Sequence, residues 1–266
     1  MTTPMTTPFL LAIDAGNTNT EFAVYEGDEQ RGRWRATTKP ARTSDEYAGW
    51  LAQLMTLEKI DPARIGDAIL CTVVPECEFH LRALCRSYYR CEPLIVDEKT
   101  DLGIEIAVER PSEVGADRLV NAVGAHGRYP GPLIIIDFGT ATTFDVVDGE
   151  GAYHGGAIAP GINLSLDALH MAAARLPRVA VERPQRVIGT ATIPAMKSGV
   201  YWGYVGLIEG LVARLKEEFG APMTVVATGG LAPLFRAATP AIEHVDADLT
   251  MRGLVEIYRR NRRGSR

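Results

Sequence analysis

Two stretches of this chain repeat one pattern, and this internal repeat restricts the fold more than any other feature of the sequence. Residues 10–27 read LLAIDAGNTNTEFAVYEG, and residues 133–149 read LIIIDFGTATTFDVVDG. The two stretches align without gaps at an offset of 123 residues. In each, an apolar run ends at an Asp, a turn of small residues follows, and a second apolar run begins. The pattern predicts two similar strand-turn-strand hairpins at half-chain spacing.

The first hairpin has the composition of a phosphate-binding turn. Ala15 and Gly16 let a ligand approach the backbone N–H groups closely, and residues 17–20 add short polar side chains. Either hairpin alone is equally well explained by ordinary turn chemistry, since Asp and Gly commonly follow a strand. Two copies in one chain favour the phosphate-binding interpretation.

Three further segments restrict the kind of phosphate-binding protein to which the hairpins can belong. Gly115 to Arg118 reads GADR, Ile136 to Asp145 reads IDFGTATTFD, and Gly155 to Leu169 reads GGAIAPGINLSLDAL. With the two hairpins, these segments make the chain resemble the actin-like and sugar-kinase-like ATPases and, within them, the type III pantothenate kinases.

The resemblance covers nearly the whole chain, from Leu10 to about Asn261. It implies an α/β, duplicated actin-like (ribonuclease H-like) fold with two lobes of mixed sheet flanked by helices and an ATP cleft between them. We expect the lobes to be residues 1–126 and 127–266, because the second hairpin and the adenosine region fall in the second half.

The resemblance also implies the residues of the site. ATP is expected to contact both hairpin turns, at Asp14, Ala15, Gly16, Asn17, Thr18, Asn19, Thr20, Glu21 and Thr140. Pantothenate is expected to contact Gly115, Ala116, Asp117, Arg118 and Thr192. The resemblance further implies that Asp117 accepts a proton, that Asp137 binds a monovalent cation, potassium or ammonium, and that magnesium accompanies ATP.

One position departs from the family pattern. Many relatives carry a Tyr seven residues before the GADR glycine, where it touches the substrate, and this chain has Val108. Either another group supplies the missing hydroxyl, or the substrate pocket is drier than usual.

The neighbouring charges of Asp117 and Arg118 also point to substrate chemistry without the resemblance. Pro111 and Gly115 bracket a loop, and a short apolar helix is predicted from Ala116 to Gly127. An acid in the first turn of a helix is explained by the helix dipole alone, but Arg118 gains nothing from that position. The pair suits a small anionic substrate, with Arg binding a carboxylate and Asp taking a hydroxyl proton.

Composition indicates an ordinary folded chain and a small-molecule partner. The 266 residues are 46% hydrophobic and 23% charged, with a net charge of −5, whereas nucleic-acid-binding surfaces are strongly basic. No run approaches the roughly 18 consecutive apolar residues of a membrane span, and Met1 to Pro8 lacks the features of a signal peptide. We therefore expect no nucleic-acid or membrane partner, a cytoplasmic location and a loose N-terminal tail.

Several other residues have both a structural and a functional interpretation. The chain has four cysteines, Cys71, Cys77, Cys85 and Cys91. They could form a metal site with His80, but the favoured interpretation is that they are buried thiols on a strand and a helix. His154 is more often a structural residue at a strand end than a catalytic one. Gly229 and Gly230 form either a tight turn or a floor for adenosine. The C-terminal RRNRRGSR favours a solvated helix end over an RNA site.

Periodicity predicts the remaining elements. The first half is expected to run β-β-β-α-β-α-β, with a capping box at Thr43 and Glu46 opening a helix that extends to Ile60. Later helices are expected at Asn163 to Leu176, Ile193 to Phe219 and Asp248 to Asn261. The second of these contains glycines at 199, 203, 206 and 210, which permit close packing within the lobe or across a homodimer axis.

The predicted function is the ATP-dependent phosphorylation of pantothenate to 4′-phosphopantothenate, the first step of coenzyme A biosynthesis, by a homodimer. The residues alone leave two alternatives open. An actin-like ATPase would share the hairpins, and a catalytically silent relative would act as a regulatory or accessory protein.

Overall fold

The computed structural model describes residues 8–172 and 177–263. By their internal contacts, these residues divide into two compact units. The first unit comprises residues 8–103, Ser112–Gly124 and 250–263, and the second comprises Ile104–Pro111 and the described part of 125–249. The sequence led us to expect two contiguous lobes, residues 1–126 and 127–266. In the structure, residues 250–263 group with the first unit and Ile104–Pro111 group with the second.

The described residues form ten strands and seven α-helices. In chain order they are β1 (Phe9–Ala15), β2 (Asn19–Glu26), β3 (Glu29–Thr37), α1 (Ser44–Leu57), β4 (Ile65–Thr72), α2 (Pro75–Tyr88), β5 (Leu94–Ile95), α3 (Ala116–His126), β6 (Leu133–Phe138), β7 (Ala141–Val147), β8 (Tyr153–Pro160), α4 (Ile162–Ala172), α5 (Thr192–Phe219), β9 (Thr224–Gly229), α6 (Ala232–Arg236), β10 (His244–Val245) and α7 (Leu249–Arg263).

The first unit is built on a five-stranded mixed sheet in the order β3-β2-β1-β4-β5. The first three strands form an antiparallel meander, and β4 and β5 lie parallel to β1 after crossovers through α1 and α2. Parallel neighbours require such crossover connections. The predicted β-β-β-α-β-α-β order is therefore confirmed.

Side-chain alternation along β1 separates the face that packs on α1 and α2 from the face that carries Asp14. Leu11 and Ile13 are fully buried and pack with Leu51 of α1 and Leu81 of α2. Because successive residues of a strand point to opposite faces, Asp14 lies on the face away from those helices. The strand thus carries a carboxylate at its end on the face that α1 and α2 leave free.

Helix α1 begins as predicted and ends earlier. The Thr43 hydroxyl accepts the Glu46 N–H at 3.3 Å and the Glu46 carboxylate accepts the Thr43 N–H at 2.8 Å, so the capping box is confirmed. The helix ends at Leu57, three residues before the predicted end at Ile60. Lys59 adopts a left-handed φ of 58°, which stops the helix there.

Helix α7 explains why the C-terminal residues group with the first unit. The Thr250 hydroxyl donates to the Asn121 side-chain oxygen at 2.7 Å. A Cβ added at Gly253 would lie 2.1 Å from the Val120 carbonyl oxygen, so only glycine permits this close approach of α7 to α3. The basic end of α7 is also anchored, since Arg262 pairs with Asp67 of β4. The predicted basic run continues through 264–266, which lie outside the described residues.

The second unit repeats the architecture of the first. Its sheet has the order β10-β9-β6-β7-β8, which is the order of the first sheet read from its other edge. Strands β6, β7 and β8 form the antiparallel meander, and β9 and β10 follow in parallel. Ile136 and Phe144 pack against Ile208 of α5 and Phe235 of α6. The predicted duplication of two mixed sheets flanked by helices is confirmed.

Three elements of the second unit differ from the predictions. Helix α4 spans Ile162–Ala172, and residues 173–176 of the predicted helix lie outside the described residues. Helix α6 and strand β10 were not predicted, because they are only 5 and 2 residues long and leave little periodicity. Within the described ranges, no helix combines the length and the apolarity that crossing a bilayer requires.

Candidate active site

The first hairpin turn joins β1 to β2 and is held from both sides. The Gly16 N–H donates to the Asn19 carbonyl at 3.0 Å, which closes the turn. After β3, the Thr38 N–H donates to the Thr18 carbonyl at 2.9 Å and its hydroxyl donates to the Gly16 carbonyl at 2.7 Å. Residues 17–19 remain exposed at the tip, where a ligand can reach their side chains. These hydrogen bonds therefore hold the turn in place and leave its tip exposed.

Three residues of the predicted ATP-binding element have structural contacts of their own. Ala15 and Thr20 are fully buried, and the Thr20 hydroxyl lies 2.9 Å from that of Thr38. The Glu21 carboxylate accepts two hydrogen bonds from the Arg33 guanidinium, at 3.0 and 2.5 Å. A ligand at this turn would thus reach Ala15 and Thr20 through the backbone, and Glu21 would have to share its carboxylate with Arg33.

Two of the predicted acids, Asp14 and Asp117, surround one buried thiol in the first unit. Cys71 is the register partner of Asp14 across the parallel pair β1 and β4, and its side chain is fully buried. Burial raises the pKa of the Cys71 thiol well above its ordinary value, and the Asp14 and Asp117 carboxylates raise it further. A hydrogen bond joins the thiol to Asp14. The first unit therefore brings the hairpin acid and the helix acid to one place.

Asp117 lies in the first turn of α3, and its carboxylate folds back over Gly115. Its Oδ1 accepts the Arg118 N–H at 2.8 Å and would lie 2.6 Å from a Cβ at position 115. Burial raises the pKa of Asp117 above its ordinary value, although the Arg118 N–H and guanidinium act in the opposite direction. A carboxylate with a raised pKa is a better proton acceptor than an exposed one. A side chain at position 115 would therefore have to displace the Asp117 carboxylate from its present position.

The second hairpin turn joins β6 to β7 and is also closed by the N–H of its glycine, although its loop is one residue shorter than that of the first turn. The Gly139 N–H donates to the Ala141 carbonyl at 3.0 Å. The Gly161 N–H donates to the Thr140 carbonyl at 3.0 Å, and a Cβ at position 161 would lie 2.2 Å from that oxygen. Thr140 is exposed at the tip. The chain leaving β8 therefore supports the second turn as the chain leaving β3 supports the first.

Asp137 occupies the place in the second sheet that Asp14 occupies in the first. It is partly buried near the end of β6, and its register partners are Thr143 on β7 and Thr228 on β9. Partners in register project from the same face of a sheet. Asp137 therefore has a threonine on each side, and these oxygen atoms are ligands that hard cations accept.

Two positions predicted to meet the substrate lie in the second unit. Thr192 is exposed as the first residue of α5. Val108 lies on the segment that pairs with β8, where its Cγ1 would be 3.5 Å from a Cβ at Gly155. Tyr153 of the same unit is fully buried and donates its hydroxyl to Asp145 at 2.8 Å.

The other candidates of the sequence analysis have structural contacts. Cys71 lies on β4 and Cys77 and Cys85 on α2, all buried, so the prediction of buried thiols on a strand and a helix is confirmed for these three. Cys91 is half-buried in the loop between α2 and β5. His154 lies 2.8 Å from a carboxylate oxygen of Asp148 on the neighbouring turn. Gly229 has a left-handed φ of 88° at the end of β9 and would clash with Phe138 if it carried a Cβ.

Sequence inspection missed two residues that the structure places beside predicted acids. Cys71 becomes the neighbour of Asp14 only through the pairing of β1 with β4, and the sequence does not encode that register locally. Asp145 is a fully buried carboxylate two residues from Thr143, the partner of Asp137. Its signal was available, because an Asp between apolar residues of a strand, here Phe144 and Val146, is rarely buried without partners.

Comparisons with known proteins give one consistent family. The model of the type III pantothenate kinase family matches residues 10–214. The chain is 66% identical over 253 residues to the type III pantothenate kinase of Paramagnetospirillum magneticum, covering 95% of this chain and 97% of that protein. It is 67% identical over 253 residues to that of Rhodospirillum rubrum, covering 95% and 98% of the two chains.

Solved structures agree on the fold. A protein proposed to be a 2-dehydro-3-deoxygalactonokinase, from Sinorhizobium meliloti, aligns with a TM-score of 0.57 over 94% of this chain and 96% of its own. The identity is 14%, so this likeness concerns the fold alone. It confirms the duplicated actin-like fold expected from the paired hairpins.

Proposed function

This chain belongs to the type III pantothenate kinase family, and from that premise we propose that Asp117 is the general base of its reaction. The chain is an ATP-dependent pantothenate kinase, which makes 4′-phosphopantothenate for coenzyme A biosynthesis. The observation that carries the role of Asp117 is its partly buried carboxylate, folded back over Gly115 and next to the Asp14 hairpin through Cys71. Asp117 takes the proton of the primary hydroxyl as the hydroxyl oxygen attacks the γ-phosphorus and ADP leaves.

Arg118 and the residues beside it bind pantothenate in this proposal. Pantothenate carries a carboxylate, and a guanidinium can form two parallel charge-assisted hydrogen bonds with it. Gly115 and Ala116 contribute the backbone at the start of α3, and Thr192 contributes a hydroxyl from the start of α5. The apolar Val108 replaces a tyrosine of many relatives and gives this enzyme a drier contact with the substrate.

The two hairpin turns bind the phosphates of ATP. Residues 17–19 offer backbone N–H groups and exposed polar side chains, Gly16 lets the phosphates approach the turn closely, and Thr140 offers an exposed side chain from the second turn. Phosphoryl transfer needs positioning and charge compensation more than covalent participation of the protein. Magnesium typically binds one or two carboxylates together with substrate phosphates, and Asp14 fits that role through an intervening water. When bound, the metal supplies positive charge that neutralises the phosphate oxygens.

Asp137 is the proposed ligand of a monovalent cation, potassium or ammonium. Its partly buried carboxylate with a threonine on each side fits an oxygen-coordinated ion. We expect activity to rise steeply with potassium or ammonium chloride and little with sodium chloride, because only the larger ions fill such a site. Initial rates measured at constant ionic strength test this. Equal rates in all three salts would remove the role from Asp137.

Coupled ATP turnover, measured with and without pantothenate, tests the proposed function against its alternatives. Turnover that requires pantothenate and yields a phosphorylated product supports the kinase. Turnover without pantothenate would favour an actin-like ATPase, and ATP binding without turnover would favour a regulatory relative. We place the reaction in the cytoplasm, where ATP and the vitamin are both available.

We further propose that the enzyme is a homodimer joined along α5. Tyr201 and Tyr204 of α5 face the core of their own unit. The opposite side of the helix carries the glycines. No atom of the described residues lies within 4 Å of a Cβ added at Gly199, Gly203 or Gly206. This flat, open stripe suits close packing against the same helix of a second copy.

A bulky substitution on this stripe tests the dimer. Gly203→Arg leaves the monomer free of clashes and replaces a weak helix former, so we expect it to fold and to separate the dimer into monomers. Gly49→Arg on α1 is the matched control, because it also places the side chain in open space on a helix. Light scattering should show two chains for the wild type and for the control. A wild-type monomer with full activity would contradict the proposal.

A further inference from the structure

A fully buried carboxylate in the second unit has no part in the proposed phosphoryl transfer. Asp145 lies within β7 and is 0% exposed. One of its oxygens accepts the Tyr153 hydroxyl at 2.8 Å, and the other accepts the Thr143 hydroxyl at 2.8 Å. Both hydroxyls are the donors in these hydrogen bonds, so both direct their protons toward Asp145.

Strand register places this cluster next to Asp137. Thr143 is the partner of Asp137 in the antiparallel pair β6 and β7, and Asp145 follows two residues later on the same face. The opposite face of the same strands is occupied by the apolar core, which includes Ile136 and Phe144. The order of the polar side chains on this face is therefore Asp137, then Thr143, then Asp145.

The direction of the hydrogen bond from Thr143 to Asp145 determines whether the Thr143 hydroxyl can donate to a neighbouring ligand or only accept from it. Its proton points toward Asp145, away from any ligand beside Asp137. The oxygen keeps its lone pairs for that ligand, and the hydrogen bond to Asp145 polarises the hydroxyl and makes them more negative. An oxygen that can only accept is suited to a cation and unsuited to a phosphate oxygen, which would need a donor.

We propose that Thr143 is a protein ligand of the monovalent cation beside Asp137, and that Asp145 is the positioning residue that orients it. The inference rests on the proposed cation site and assigns it a second ligand. The Tyr153 hydroxyl donates to the other oxygen of Asp145 and has no direct role at the ion. The backbone of Tyr153 is paired with the segment at Glu105 and Ala107, which fixes its side chain.

Thermal stability of the full-length enzyme, with magnesium and a non-hydrolysable ATP analogue bound, gives a readout that does not depend on turnover. Potassium is titrated at constant ionic strength, and the concentration giving half of the maximal stabilisation is compared between variants. Thr143→Val removes the oxygen at nearly constant shape, whereas Thr143→Ser keeps it. We expect the half-maximal concentration to rise about tenfold or more in Thr143→Val and to stay near the wild-type value in Thr143→Ser.

Variants of the supporting residues separate orientation from packing. In Asp145→Asn the new amide can donate a hydrogen bond to the Thr143 oxygen, and the Thr143 hydroxyl proton is then free to turn toward the ion. The half-maximal potassium concentration should therefore rise by about tenfold. Tyr153→Phe is the matched control, because it removes the other hydrogen bond of Asp145 and leaves that of Thr143 in place. We expect its potassium response to equal that of the wild type.

The outcomes distinguish this inference from the proposal it rests on. A wild-type enzyme that responds to potassium, together with a Thr143→Val variant that responds identically, would overturn the role of Thr143 and leave Asp137 as a ligand. A wild type that is indifferent to potassium would overturn the cation site itself and with it this inference. If Thr143→Val does not fold, a tenfold shift in Asp145→Asn with none in Tyr153→Phe supports the proposal, and equal shifts in both contradict it.

Discussion

Replacing Asp117 with Asn should lower kcat by about two to four powers of ten, the usual contribution of a positioned general base. Asn keeps the shape of the side chain and can still accept the Arg118 N–H that Asp117 accepts at 2.8 Å. It cannot take the proton of the substrate hydroxyl. We therefore expect the KM for pantothenate to change little and ATP binding to stay normal, since the residue acts in the transition state.

The helix-capping explanation of Asp117 predicts the opposite result. Asn and Asp serve about equally well at the beginning of a helix, so a purely structural acid could be exchanged almost without cost. Thermal unfolding of the variant provides the control. Normal stability with a large loss of kcat supports the base, and normal stability with near-normal turnover would refute it.

The pH dependence of the wild-type enzyme gives an independent check. A general base works only when ionised, so kcat/KM should fall as the pH drops through the pKa of Asp117. Burial raises that pKa, so the midpoint of the acid limb should lie above the ordinary value for an aspartate. The Asp117→Asn variant should lack this limb. A limb that persists unchanged in the variant would assign it to another group.

Much of the architecture could be predicted because its determinants are local. The apolar runs before Asp14 and Asp137, each followed by a small-residue turn, determine the central hairpin of each sheet. The capping box at Thr43 determines the residue at which α1 starts. The duplicated strand order follows from the repeat together with the crossover rule for parallel strands.

The parts that could not be predicted depend on contacts between distant residues. Cys71 lies behind Asp14 only because β4 pairs with β1 in one register, and a slip of one residue would reverse its face. The assignment of α7 to the first unit depends on the contact of Gly253 with Val120. Sequence periodicity reports which face of an element is buried but not which partner buries it.

The buried cluster at Asp145 escapes sequence inspection for a different reason. Asp145 is the last residue of the family motif IDFGTATTFD, where it stands among residues with more obvious roles. Strand alternation alone places Thr143 and Asp145 on one face. Tyr153, which comes from the next strand, supplies the second partner of the carboxylate and could be identified only from the strand pairing.

Replacing Arg118 with Ala should raise the KM for pantothenate about ten- to a hundredfold, because hydrogen bonds to charged groups contribute about 1.5–3 kcal/mol. The substrate carboxylate is far from the reacting hydroxyl, so its contact with Arg118 is equally strong in the ground and transition states. Such a loss of uniform binding appears in KM and leaves kcat nearly unchanged. This separates Arg118 from Asp117, whose loss should appear in kcat.

Arg86→Ala is the matched control for the lost positive charge. Arg86 lies on α2, which packs on the face of the first sheet opposite Cys71, and it pairs with Glu92 at the surface. Its removal should leave both kinetic constants unchanged. Steady-state kinetics with pantothenate as the varied substrate, together with binding of pantothenate measured by calorimetry, test both variants. An Arg118→Ala enzyme with unchanged KM and unchanged binding would show that another group holds the substrate carboxylate, and a selective fall in kcat would instead place Arg118 among the groups that act on the transferring phosphate.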